Sequence, residues 1–216
     1  RRPEAAAARG SGTGSGAPSS DDDLAGANFP TAMRDYQLTG VRWLLSQDRQ
    51  GAPCILGDEM GLGKTLQTLT FLRHLLPRGP HLIVCPLSVL STWVAETAKW
   101  YPDVDSFKFY SSGGHVRDQQ KRELRSMLKN TDGNSLLKRR PSATDGSASQ
   151  WERPLLIYTT YDMLVSEQEW LCREWRFHYV VFDEAQRLKS EVAMVTQAAS
   201  RLRSGRRLLL TGTLVQ

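Results

Sequence analysis

Cysteine is scarce in this chain of 216 residues, with three in all: Cys54, Cys85 and Cys172. They form no closely spaced pair and their number is odd. The sequence therefore offers neither a disulfide framework nor a zinc-ligand spacing, and a reducing compartment suits it. Long hydrophobic runs are missing too. The best candidate, Leu82 to Leu90, is interrupted by Pro86, and it falls well short of the roughly 18 apolar residues of a membrane span. No membrane partner is expected. No internal repeat is present, and neither sign of charge dominates. The 28 Lys and Arg against 23 Asp and Glu leave +5, with a pI near 9.3. That mild basicity permits a nucleic-acid partner without requiring one.

What is present suits a globular core, since 40% of residues are hydrophobic and 24% charged. Its distribution is uneven. Residues 1–28 are rich in Ala, Gly, Ser and Asp and carry almost no large apolar side chains. Such a stretch cannot bury enough surface to offset its ordering entropy, so a disordered tail is expected, with order beginning near Phe29. The Arg- and Ala-rich start resembles a transit peptide in composition, but Asp21–Asp23 and the lack of an amphipathic stripe argue against one.

From there the pattern alternates. Helical spacing runs from Tyr36 to Leu45, from Lys64 to Leu76, from Ser88 to Trp100, near Tyr161 to Leu171 and from Glu191 to Leu202. Pro77 and Gly79 stop the second of these. Short apolar runs read as strands at Cys54–Leu56, His81–Cys85, Phe107–Tyr110, Leu155–Tyr158, Tyr179–Phe182 and Arg207–Leu210. Buried strands alternating with helices predict an α/β fold, a mostly parallel sheet with helices on both faces. Residues 111–150 break the rhythm. A charged helical stretch from Val116 to Lys129 precedes a Ser-, Gly- and Asp-rich segment, and the whole is expected to be a surface insertion with a disordered tip. Lys138-Arg139-Arg140-Pro141 within it reads either as a solvated loop or as a nuclear-import or nucleic-acid patch.

The strongest chemical signal is Asp58-Glu59-Met60-Gly61-Leu62-Gly63-Lys64-Thr65, set between a predicted strand and a predicted helix. Gly61 and Gly63 allow backbone N–H groups to turn inward around an anion. The helix starting near Lys64 aims its positive end at the same place. The Lys64 ammonium can reach the β- and γ-phosphates of a nucleotide, and the Thr65 hydroxyl can ligate Mg²⁺. One departure stands out: the general pattern opens with Gly where this chain has Asp58, and Gly57 lies one residue earlier.

A second signal, Asp183-Glu184-Ala185-Gln186, follows the apolar run Tyr179–Phe182. An Asp at the C-terminal end of a buried strand emerges where open α/β sheets bind ligands. Asp183 can hold Mg²⁺ directly or through water, and Glu184 can orient and deprotonate an attacking water. A third and weaker signal is Leu208–Leu210 running into Thr211-Gly212-Thr213, a strand ending in hydroxyls.

Taken with Met33–Leu44, Cys85–Leu90 and Tyr158–Tyr161, these motifs resemble, in order, the SWI/SNF-type helicase-like ATPases, near the chromodomain-helicase and imitation-switch branches. The resemblance implies a RecA-like P-loop lobe from residue 29 to 216, ATP and Mg²⁺ as cofactors, double-stranded DNA or nucleosomes as partners, and a nuclear location. It implies that Gln37 senses adenine and that residues 58–65 cradle the nucleotide. It further implies that Thr65 and Asp183 hold Mg²⁺, and that Lys64, Asp183 and Glu184 carry catalysis. Pro86–Ser88 and Thr159–Tyr161 match segments that touch the DNA backbone, and Thr211–Thr213 match one that couples hydrolysis to movement.

Two positions depart from the family. Gln186 stands where most members have His, and Leu214 where a Pro usually follows. Family members also use a second RecA-like lobe whose arginines stabilise the transferring phosphoryl group, a contribution of ~10³–10⁵ in rate. No second lobe follows within this sequence, so weak ATP binding and poor hydrolysis by the chain alone are expected. A small-molecule phosphotransferase and a non-catalytic nucleotide- or DNA-binding module remain alternatives.

Overall fold

The computed structural model describes residues 30, 33–59, 61–129, 155–190 and 193–212. The expected N-terminal tail, the tip of the insertion with its basic run, Met60 and the end of the chain from Thr213 lie outside the described residues.

Six strands form one all-parallel sheet: β1 (Cys54–Leu56), β2 (His81–Cys85), β3 (Ser106–Lys108), β4 (Leu156–Thr160), β5 (Phe177–Phe182) and β6 (Ser204–Leu210). Their order across the sheet is β1-β6-β5-β2-β4-β3. β2 and β4 are buried at every position, as expected for parallel strands covered on both faces. Alternate residues face opposite ways. Ile83, Tyr158 and Val181 join the core beneath α1 (Asp35–Gln50), α2 (Lys64–Leu75) and α3 (Leu87–Trp100). Leu82, Ile157 and Val180 join the core beneath α4 (Gly114–Lys129), α5 (Tyr161–Ser166), α6 (Gln168–Glu174) and α7 (Met194–Arg201). Each fully buried large apolar side chain contributes about 1.5–3 kcal/mol of transfer free energy, so these two layers hold the strand ends in fixed relation.

The predicted α/β class is therefore what forms. Strands β1 and β2 match their predicted bounds, and β5 and β6 start two and three residues earlier than the apolar runs did. Two differences are informative. The helical stretch 161–171 divides into α5 and α6 at Glu167. That residue's carboxylate is buried and bonded to Arg117 at 3.0 Å and Lys121 at 2.5 Å, both on α4. The same ion pairs hold α4, the helical part of the stretch read as an insertion, against the second layer, where Leu124 is fully buried.

At the N-terminal end of the sheet, buried Asp48 at the end of α1 accepts from Arg78 at 2.6 Å and from Arg206 on β6 at 3.1 Å. This ties α1 and β6 together at the end of the sheet remote from the motifs.

Candidate functional site

Because every strand is parallel, the three motifs that follow β1, β5 and β6 all emerge at the C-terminal edge of the sheet. Those strands are neighbours, with β6 between the other two. Cys54, Ile55 and Leu56 pair with Leu208, Leu209 and Leu210, while Val181 and Phe182 flank Leu208 and Leu209 on the other side. The edge bonds continue past the strands: Thr211 N–H donates to Leu56 O at 3.1 Å, and Asp183 N–H to Val84 O at 2.9 Å.

Between β1 and α2 the chain turns through Gly61 at φ 85° and Gly63 at φ 78°, left-handed values that disfavour side chains. At Gly63 a Cβ would also lie 2.3 Å from Gln37 Nε2, so the Gln37 side chain would have to move. Lys64 opens α2, and its ammonium donates to Asp58 O at 2.6 Å and Glu59 O at 2.9 Å. The loop is thus curled around its own lysine. No acidic residue occupies the first turn of α2, so the positive helix end faces the loop uncompensated. The departure at Asp58 has a local reason: its Oδ2 accepts from Gln67 Nε2 on α2 at 3.1 Å, bracing the loop against the helix it enters.

Asp183 sits just past β5. Its Oδ2 accepts from the Trp93 indole N–H at 2.9 Å and its Oδ1 from Glu184 N–H at 3.0 Å. Burial pushes its carboxyl above the usual range. The Trp93 bond opposes that, the Glu184 charge adds to it, and the Lys64 ammonium pulls it down. The glycine-rich loop that carries Lys64 and the strand-end carboxylate leave the same edge of the sheet, on either side of β6. Next to them Glu184 has φ 52° and ψ 52°, and no other described non-glycine residue has a positive φ. Its carboxylate accepts from Gln186 Nε2 at 2.6 Å, and Gln186 Oε1 in turn accepts from the Thr211 hydroxyl at 3.3 Å.

The residue types suit a Mg²⁺–polyphosphate ligand. Among the described residues no cluster of three metal-ligating side chains occurs. A divalent ion here would take few protein ligands and draw the rest from water and phosphate oxygens, which is the habit of Mg²⁺. Beside the loop lies a groove of about 600 Å³, walled by Tyr36, Thr39 and Trp43 of α1 and by Ile55, Asp58 and Leu62.

The site gathers most of the residues singled out in the sequence. Gln37 is buried, and both its polar atoms are engaged: Oε1 accepts from Arg34 N–H at 3.0 Å, and Nε2 donates to Leu62 O at 3.1 Å. As placed, it braces the loop, and contact with a base requires exchange of one of these bonds. Ser88 is exposed at the start of α3. Thr159, Thr160 and Tyr161 are spent internally: Thr159 donates to Phe109 O, Thr160 caps α5, and Tyr161 donates to Asp183 O. Their side chains are buried. Sequence reading missed Trp93 and Gln67. A Trp inside an amphipathic helix and a Gln one turn into another carry no motif signal, and their partners lie 90 and nine residues away.

A family model described as the SNF2-related domain matches residues 36–216. Among curated proteins, the chain is 34% identical over 187 residues to the ATP-dependent DNA helicase DDM1 of Arabidopsis thaliana, covering 85% of this chain and 22% of that protein. It is 33% identical over 189 residues to the ISWI chromatin-remodeling complex ATPase ISW1 of Saccharomyces cerevisiae, covering 85% and 14%. The chain spans about a fifth or less of the length of these relatives. Among solved structures, the Sulfolobus solfataricus SWI2/SNF2 ATPase core in complex with dsDNA superposes with a TM-score of 0.64 at 27% identity, covering 87% of this chain and 33% of that one.

Proposed function

The chain belongs to the SNF2-related domain family of chromatin-remodelling ATPases, and from that premise we propose that it is the first, ATP-binding lobe of an enzyme that translocates on double-stranded DNA. In this reading the backbone of residues 58–65 cradles the phosphates and Lys64 neutralises the β- and γ-phosphoryl oxygens. Thr65 and Asp183 hold Mg²⁺, and Glu184 orients and deprotonates the attacking water. The apolar groove along Tyr36 and Trp43, beside Gln37, takes the base. Bound Mg²⁺ supplies charge neutralisation of the polyphosphate. Double-stranded DNA is met through its phosphate backbone, with exposed Ser88 a contact point. A second RecA-like lobe contributes the arginines that complete catalysis, and the location is nuclear. The observation that carries the reading is the layout of the sheet edge, where the glycine-rich loop after β1 and Asp183 after β5 emerge at the same end on either side of β6.

One observation favours a second, quieter role, a lobe that binds nucleotide without turning it over. One oxygen of the Glu184 carboxylate accepts from Gln186 at 2.6 Å, a bond that weakens the group as a proton acceptor for water. Two measurements test both readings. A fluorescent ATP analogue titrated against the chain should bind, and Lys64→Ala should remove most of the affinity; unchanged affinity refutes the loop assignment. Steady-state phosphate release with double-stranded DNA should be slow. Robust DNA-stimulated turnover by the chain alone would refute the need for a second lobe.

A further inference from the structure

Asp183 is gripped from two sides by groups outside the glycine-rich loop. The Trp93 indole N–H meets its carboxylate at 2.9 Å, and the Tyr161 hydroxyl meets its main-chain carbonyl at 2.6 Å. Both donors are buried, Trp93 at 1% exposure and Tyr161 at 4%. Trp93 lies on α3, which springs directly from β2, and Tyr161 is the first residue of α5, which springs directly from β4. A turn beyond Trp93, the Thr97 hydroxyl shares a 2.5 Å hydrogen bond with Tyr158 of β4. Two helices and three strand ends thus converge on one aspartate.

We propose that Trp93 and Tyr161 are positioning residues for the metal-holding carboxylate. The inference rests on the reading of Asp183 as the Mg²⁺ ligand and deepens it. A carboxylate offers about four lone-pair directions. The indole takes one on Oδ2 and the Glu184 N–H one on Oδ1, which fixes the rotamer and leaves a direction on each oxygen for an ion. The phenol fixes the backbone from which that rotamer springs. Partners that orient a metal ligand typically account for 10- to 100-fold in metal affinity.

The test uses the full chain, Mg²⁺ and a fluorescent ATP analogue. Nucleotide affinity is measured in EDTA and then as Mg²⁺ is titrated, for wild type, Trp93→Phe, Tyr161→Phe and Asp183→Asn. Phe at 93 leaves a smaller ring, so a second variant carries benzothienylalanine there, which keeps the bicyclic shape and deletes the N–H donor. Both position-93 variants should leave binding in EDTA within about twofold and raise the Mg²⁺ midpoint about tenfold. Tyr161→Phe should shift the midpoint in the same direction. If Asp183→Asn moves the midpoint and neither position-93 variant does, the positioning role is refuted while the ion site stands. If Asp183→Asn itself leaves the midpoint where it was, the ion site and the positioning role fall together.

Discussion

Gln37 lies against Gly63 so closely that one added carbon at residue 63 would sit 2.3 Å from its amide nitrogen. The same nitrogen holds Leu62 O, so α1 clamps the turn that delivers Lys64 to the site. Gly61 has the same left-handed backbone but nothing within 4 Å of a would-be Cβ. The two glycines should respond differently to alanine. Gly61→Ala should cost only the backbone term, about 1–2 kcal/mol. Gly63→Ala adds a collision that breaks the Gln37–Leu62 bond, and should lower stability further and abolish nucleotide binding. Chemical denaturation and analogue titration of both variants check this; equal losses would show that the Gln37 contact is immaterial.

Glu184 holds a backbone conformation that costs a non-glycine residue of order 1–3 kcal/mol, at φ 52° and ψ 52°. Glycine adopts it freely. Glu184→Gly relieves that strain and loses one hydrogen bond from Gln186 to a carboxylate, worth about 1.5–3 kcal/mol. The two terms roughly cancel, so the melting temperature should stay level, while any phosphate release is lost. A clear drop in melting temperature would mean that the strain is not stored there.

The layout of the fold was legible because parallel strands covered on both faces read as unbroken apolar runs, as His81–Cys85 and Tyr179–Phe182 do. The site's loop and acidic pair were legible because phosphate chemistry demands particular residues at fixed spacing. What stayed hidden depended on contacts distant in sequence. Trp93 reaches Asp183 across 90 residues, and Arg117 and Lys121 reach Glu167 across about 50. No period or spacing marks such pairs. For the same reason Thr159–Tyr161, read by resemblance as a DNA-contacting segment, proved to have buried, internally bonded side chains.

That second long-range set makes its own prediction. The Glu167 side chain is 9% exposed between Arg117 and Lys121, which are 25% and 18% exposed. Removing one partner of a buried pair typically costs 3–5 kcal/mol. With the cations partly solvated, Glu167→Ala should cost about 2–3 kcal/mol. Hydrogen exchange should localise the loosening to α4, and Glu167→Gln, which keeps an acceptor, should lose less. Unaltered exchange across 114–129 would show that Leu124 alone docks the helix.

Acid should loosen the sheet at the end opposite the site. His81, the first residue of β2, is fully buried beside His178, with ring centroids 5.6 Å apart. Burial first, and the His178 charge second, depress its pKa from 6.5 to about 3. Between those two values the unfolded chain binds the proton and the folded chain does not, so stability falls as pH drops through that window. At pH 5 the unfolded state gains about 2 kcal/mol relative to pH 7 from this histidine. Replacing it with an apolar residue removes the proton altogether. Urea denaturation at the two pH values should show His81→Leu losing about 2 kcal/mol less than wild type on acidification. His178, whose pKa is also lowered by burial, supplies part of the pH dependence that remains in the variant. An identical pH dependence in His81→Leu and wild type would mean that His81 is protonated in the folded protein.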